Sequence, residues 1–202
     1  MAITTTQQGV ITEAEFAKVV ILTSNGRLIP TRALADDDRR DFEIHIRRHF
    51  GASLAMQLKT AKRLRLHGRS RMLQINFRMK APLTSDPHLL YFLAHFDVKI
   101  RTFTDPVFLV PSPFFHQHAL HGADRGAIQL QFKASMEPDA KDMWARWALP
   151  QAELGPRILQ ILNELPGRPH LDPQGEQLIT MSGIVWVRRP SSILVPGRHR
   201  AA

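Results

Sequence analysis

Cysteine is absent from the 202 residues. That absence excludes a disulfide scaffold, a Cys-ligated zinc finger, an iron–sulfur protein and a cysteine nucleophile. Long apolar runs are missing too. The best, F-A-K-V-V-I-L at 16–22 and L-L-Y-F-L-A at 89–94, fall far short of the ~20 residues a membrane-spanning helix needs. The opening M-A-I-T-T-T-Q-Q has neither a basic n-region nor an apolar h-region, so no secretory signal is expected. A soluble cytoplasmic protein with no membrane contact is the expectation. No G-x-x-x-x-G-K-[ST] phosphate loop and no G-x-S-x-G nucleophile elbow occurs.

Acidic residues are missing altogether from one segment. From Ile44 to Ser85, ten basic residues meet no Asp or Glu. They are Arg47, Arg48, Lys59, Lys62, Arg63, Arg65, Arg69, Arg71, Arg78 and Lys80. Residues 1–80 carry 15 basic and 7 acidic side chains against 12 and 11 over 86–202, so most of the formal net charge of +9 lies in the first part. Most of the run is Arg, whose planar fork matches phosphate bidentately. A surface of one sign concentrates polyanions, and nucleic acid ranks ahead of an anionic lipid surface as its partner. A basic tail, R-R-P-S-S-I-L-V-P-G-R-H-R, repeats the theme.

What is present in ordinary measure points to a packed fold. Apolar residues are 44% and charged residues 22%, the balance of a globular chain rather than a disordered one. Thr12 with Glu15 three residues on reads as a capping box for a helix carrying Phe16, Val19 and Val20, stopped at Asn25-Gly26. An acidic cluster, Asp36-Asp37-Asp38, follows a short extended piece. Strict alternation predicts strands at 41–47, 53–59, 72–79 and 128–133. Asp86-Pro87 suggests a helix through about Phe96, and V-F-L-V at 107–110 a buried strand. Helices are expected near 139–148 and 152–165, while 176–189 reads as either strand or helix. The order predicts an α/β fold, borderline α+β, with a core over 1–135 and a helical extension with a basic tail over 136–202.

The first two alternating strands carry the chemistry. With Phe42, Ile44 and Ile46 on one face, Asp41, Glu43, His45 and Arg47 share the other. Leu54, Met56 and Leu58 leave Ala55, Gln57 and Lys59 on that same face if a three-residue loop, His49-Phe50-Gly51, joins the strands. That register sets Glu43 opposite Gln57 and Asp41 opposite Lys59. Taken alone, an Asp opposite a Lys is a surface ion pair worth under ~1 kcal/mol.

An Asp at a strand start followed by a hairpin ending Q-L-K resembles the PD-(D/E)xK (restriction-endonuclease-like) nuclease superfamily, in its Mrr-like Q-x-K variant. Glu15 on a preceding helix, with Gly26 eleven residues later, is similar to the archaeal-type Holliday-junction resolvases. The resemblance covers about residues 9–120. It implies a restriction-endonuclease-like core: a helix, a three- to four-stranded mixed sheet, then a helix and strand. It also implies Mg²⁺- or Mn²⁺-dependent hydrolysis of DNA phosphodiesters, in a defence or restriction system. Asp41, Gln57, Lys59 and Glu15 would be the catalytic set. Asp41 would be the main metal ligand with Gln57 a weaker neutral one, and Glu43 would replace the charge a Gln lacks. Lys59 would orient the attacking water and stabilise the transition state, with Glu15 holding a metal-bound water. Arg47, Arg48, Lys62, Arg63, Arg65, Arg69 and Arg71 would line a DNA groove beside them. The alternative is the same fold without catalysis, serving as a DNA-binding or assembly subunit, with a homodimer or a protein partner in a defence complex also in view.

Two further signals compete. H-Q-H-A-L-H (His116, His118 and His121) does not place three imidazoles on one helical face, which favours surface histidines over a metal site. Trp144 and Trp147 read as core or interface anchors rather than base-stacking groups.

Overall fold

The computed structural model describes residues 4–32, 40–49, 52–80, 82–124, 126–164, 177–181 and 184–188. The acidic cluster Asp36–Asp38, the loop residues Phe50 and Gly51, and the basic tail lie outside them. The chain divides into two units, 1–165 and 166–202. Within the second, β11 (Gln177–Met181) and β12 (Ile184–Arg188) form an antiparallel hairpin. Every other element belongs to the first unit.

That unit has three layers: helices, a six-stranded mixed sheet, and a four-stranded antiparallel sheet. Helix α1 (Thr5–Thr23) starts two turns before the predicted point, because Thr4 and Gln7 form the capping box. Thr12 is instead an interior, buried helix residue whose hydroxyl donates to the Gly9 carbonyl. Asn25 and Gly26 both take left-handed φ values, +52° and +68°, and end the helix as expected.

A meander of β1 (Leu28–Arg32), β2 (Phe42–Ile46) and β3 (Ser53–Ala61) follows, each antiparallel to the next. The chain then leaves this sheet to form β4 (Arg65–His67) and β5 (Ser70–Lys80). It returns as β6 (Leu89–Asp97), parallel to β3, and β7 (Thr102–Pro111), antiparallel to β6. Helix α2 (Ser112–Ala119), β8 (Leu120–Asp124) and β9 (Ala127–Ser135) take the chain to the second sheet again, whose order is β4-β5-β9-β8. Strand β10 (Ala148–Leu149) completes the edge of the first sheet beside β7, and α3 (Leu154–Glu164) lies beside α1.

Two expected helices are absent. H-L-L-Y-F-L-A-H-F is strand β6, buried on both faces: Leu90, Phe92, Ala94 and Phe96 pack toward the helices, Tyr91 and Leu93 toward the second sheet. Such a strand reads as one continuous apolar run, which periodicity cannot tell from a buried helix. Asp86 does not cap a helix; its carboxylate accepts from the His88 N–H at 2.8 Å in the turn before β6. Near 139–148 only a 3-10 turn forms, Ala145–Trp147, with Trp144 buried against Phe115 and Phe132.

One core lies between helices and first sheet, built on Phe16, whose ring centroid is 5.4 Å from Phe42 and 4.8 Å from Phe92. The other lies between the two sheets. Gly155 lets α3 touch the end of α1, its N–H donating to Thr23 Oγ1 at 2.9 Å. Among the described residues no helix is long and apolar enough to cross a membrane.

Candidate functional site

The residues singled out on β2 and β3 meet where β2 begins. Asp41 immediately precedes β2, and its N–H donates to the Met56 carbonyl at 2.8 Å. Its Oδ2 accepts from Gln57 Nε2 at 2.6 Å and from the Leu58 backbone N–H at 2.5 Å. A strand that loses its neighbour leaves backbone donors unpaired. Asp41 supplies one acceptor where the ladder stops, and a second bond to a side-chain amide that is only 4% exposed. The carboxylate thus joins β2 to β3 as a latch.

Gln57 and Lys59 face the second sheet, since Leu54, Met56 and Leu58 face the helices. Lys59 Nζ stands 5.5 Å from the centroid of the Phe77 ring on β5, a cation–π contact. Tyr91 is the register partner of Gln57 on β6. Its hydroxyl donates to Met79 Sδ at 3.3 Å and lies 2.9 Å from His116 Nε2. The Ser85 hydroxyl is 2.6 Å from His116 Nδ1. The Tyr91 and Ser85 hydroxyls thus stand at the two ring nitrogens of His116. Burial holds the His116 imidazole below its ordinary pKa, in the neutral form. Polar groups therefore run from Asp41 through Gln57 to Tyr91, His116 and Ser85 along the inner side of the first sheet.

The other expected members stand elsewhere. Glu15 projects from α1 on the opposite, helical side; its carboxylate accepts from Thr102 Oγ1 at 2.7 Å and pairs with Lys18 at 2.5 Å. It does not point at Asp41, because the helix packs against the face that carries Phe42 and Met56. Glu43 pairs in register with Ala55, not Gln57. Its carboxylate accepts from Ser53 Oγ at 2.5 Å and lies 3.8 Å from Arg40. The expected register is two residues off: β2 and β3 pair as His45 with Ser53, which brings Gln57 toward Asp41 in place of Lys59. Arg48 adopts φ +69° in the turn that follows β2.

The cations stand on several elements of the fold. Arg47 and Arg48 sit at the β2–β3 turn, Lys62 and Arg63 follow β3, and Arg65, Arg69 and Arg71 belong to the β4–β5 hairpin of the second sheet. Arg71 holds the Glu137 carboxyl below the usual carboxylate range, first through its backbone N–H and then through its charge.

Mg²⁺ takes oxygen ligands, usually one or two carboxylates with waters and substrate phosphates completing the octahedron. Asp41 and Gln57 supply one carboxylate and one neutral amide, and they satisfy each other. Among the described residues no three His, Asp or Glu side chains come close enough to hold an ion. Among the described residues the patch offers one carboxylate, Asp41, which already accepts from Gln57 and from the Leu58 N–H.

Tyr91 and Ser85 are the members sequence reading missed, while His116, expected at the surface, is half-buried between them. Tyr91 is the single tyrosine of the chain, set inside an apolar run; a buried hydroxyl requires a partner, and that requirement was the available signal. Compared with known proteins, the chain has no match among family models, curated proteins or solved structures.

Proposed function

We propose that this chain is a DNA-binding protein that uses a nuclease-like meander without phosphodiesterase chemistry of its own. The observation that carries the reading is a contrast inside one acid-free segment. Gln57 is buried beneath the second sheet and bonded to Asp41, out of reach of a phosphate, while Arg47, Arg48, Arg63, Arg65, Arg69 and Arg71 are all exposed. A cationic surface of this kind binds the phosphate backbone whether or not a catalytic centre accompanies it.

A second reading, a Mg²⁺- or Mn²⁺-dependent nuclease, draws support from strand order. Asp41 heads the middle strand of an antiparallel meander, Gln57 and Lys59 lie on the next strand, and a fourth strand runs parallel to it. One experiment separates the two. Labelled duplex DNA is incubated with the protein and Mg²⁺ or Mn²⁺, with binding and cleavage both measured. Salt-dependent binding with no cleavage supports the first reading. Metal-dependent cleavage lost in Lys59→Ala supports the second, and no binding at low salt defeats both.

A further inference from the structure

The second sheet has an inner face and an outer face. Leu73, Ile75, Leu130, Phe132 and Ala134 turn inward to the core. Alternation sends Gln74, Asn76, Arg78 and Lys80 of β5 outward, together with Gln129, Gln131 and Lys133 of β9. Arg65 on β4 pairs with Met72 and joins the same side. An open antiparallel sheet ordinarily solvates one face with charges of both signs. Here four exposed cations, Arg65, Arg78, Lys80 and Lys133, share the face.

The arrangement along the strands is ordered. Gln74 pairs with Lys133, Asn76 with Gln131, and Arg78 with Gln129. Arg65 and Lys133 therefore lie toward one end, Arg78 and Lys80 toward the other, and amides fill the middle. Lys133 and Arg78 are four residues apart along adjacent strands, about 14 Å at ~3.4 Å per residue. That separation is close to the ~12 Å width of the major groove of B-DNA. Amide side chains can hydrogen-bond adenine edges, and cations at the rims meet phosphates. The outward positions of β5 and β9 include no aromatic ring, so the stacking platform that single strands need is missing.

We infer that the outer face of the β4-β5-β9-β8 sheet is the docking surface for duplex DNA, with Arg65, Arg78, Lys80 and Lys133 on the two phosphate backbones and the central amides over the groove. This inference rests on the DNA-binding reading above and assigns its surface.

Fluorescence anisotropy with a short labelled duplex over a series of salt concentrations tests it. Arg78→Glu/Lys133→Glu should weaken binding roughly 100-fold at moderate salt, and the slope of log K against log salt should become shallower by about 2, one unit for each phosphate no longer neutralised. The neutral pair Arg78→Gln/Lys133→Gln should give a smaller loss with the same change of slope, and it serves if the charge reversal fails to fold. Arg27→Glu/Lys99→Glu, in the α1–β1 and β6–β7 connections and away from this face, should stay within about 3-fold of wild type, as expected for screened charges. Wild-type binding that survives both outer-face variants, or that is abolished by the Arg27/Lys99 pair, overturns the assignment while leaving DNA binding intact. Preference for a single strand or for RNA overturns the duplex assignment. Absence of wild-type binding overturns the reading on which it rests.

Discussion

Replacing Asp41 with Ala separates a structural carboxylate from a catalytic one. The substitution removes the acceptor for Gln57 Nε2 and for the Leu58 N–H together. Both donors belong to buried residues, and each buried donor left without a partner costs about 1–3 kcal/mol. Asp41 itself is half-buried, so water reaches part of the gap and the sum falls toward the lower end, about 2–4 kcal/mol. For a fold of this size, each kcal/mol moves Tm by about 2–4 °C, so a fall of roughly 5–15 °C is expected. Asp41→Asn keeps one carbonyl acceptor and should lose about half as much. Thermal melts followed by circular dichroism, with urea titrations as a second measure, give the comparison. Affinity for duplex DNA at low salt should stay near wild type, because Asp41 is not on the cationic outer face. A carboxylate kept only for a metal would leave stability unchanged or raise it when removed. An Asp41→Ala protein melting within about 2 °C of wild type would therefore refute the latch.

Three other substitutions probe the same geometry. Gln57→Glu sets a second carboxylate where an amide donor stood 2.6 Å from Asp41. Its melting temperature should fall at neutral pH, recover in acid as the pair shares a proton, and rise with added Mn²⁺, which should not shift wild type; a variant as stable as wild type at neutral pH contradicts this. For His116 the folded pKa lies below the ordinary value, so the unfolded chain takes up the proton first. Stability is then full above about pH 6.5 and declines as pH falls through that value toward the lower folded one; His116→Gln should flatten this part of the urea-midpoint profile, and an unchanged slope counts against it. A Cβ added at Gly155 would stand 2.5 Å from the Ser24 backbone N and 2.6 Å from Thr23 Oγ1. Neither backbone can move aside cheaply, so Gly155→Ala should destabilise by about 1–3 kcal/mol in urea, and a neutral outcome would mean that α3 does not pack this closely on α1.

Much of the layered fold was legible wherever one face is buried and the other is not. The alternation of Phe42 and Ile44, of Leu54 and Met56, and of Leu73 and Ile75 marks β2, β3 and β5, because each of these strands has one side on a core. The same rule explains the failure at β6. Sandwiched between helices and second sheet, it has no polar side to alternate with, and its nine residues took on the look of a helix opened by Asp86-Pro87. The second sheet itself was hidden because its strands come from separate stretches: β4 and β5 before the return to β6, β8 and β9 after α2. No local pattern states that two such excursions pair with each other.

The candidate site shows the same division between what alternation determines and what it leaves open. A strand slipped by one residue turns every side chain to the wrong face, whereas a slip of two keeps the faces and changes every partner. The hairpin of β2 and β3 is displaced from the expected register by two. Gln57 and Lys59 therefore share the face their alternation predicts, yet Glu43 faces Ala55 and Asp41 takes Gln57. The displacement has a visible cause. Ile46 stays paired with Leu28 on β1, Arg47 N–H donates to the Arg27 carbonyl at 2.8 Å, and Arg48 turns the chain at positive φ. Strand β1 thereby helps to fix where the hairpin closes, through a pairing with a segment that the sequence of the hairpin does not contain. For Glu43 the consequence is direct. With Ser53 as its partner and Ala55 opposite, it has no carboxylate role to share with residue 57. Substitutions at 43 and 57 should then act additively on stability, within ~0.5 kcal/mol as for independent sites, and a double-mutant cycle with a larger coupling would show that the two side chains meet after all.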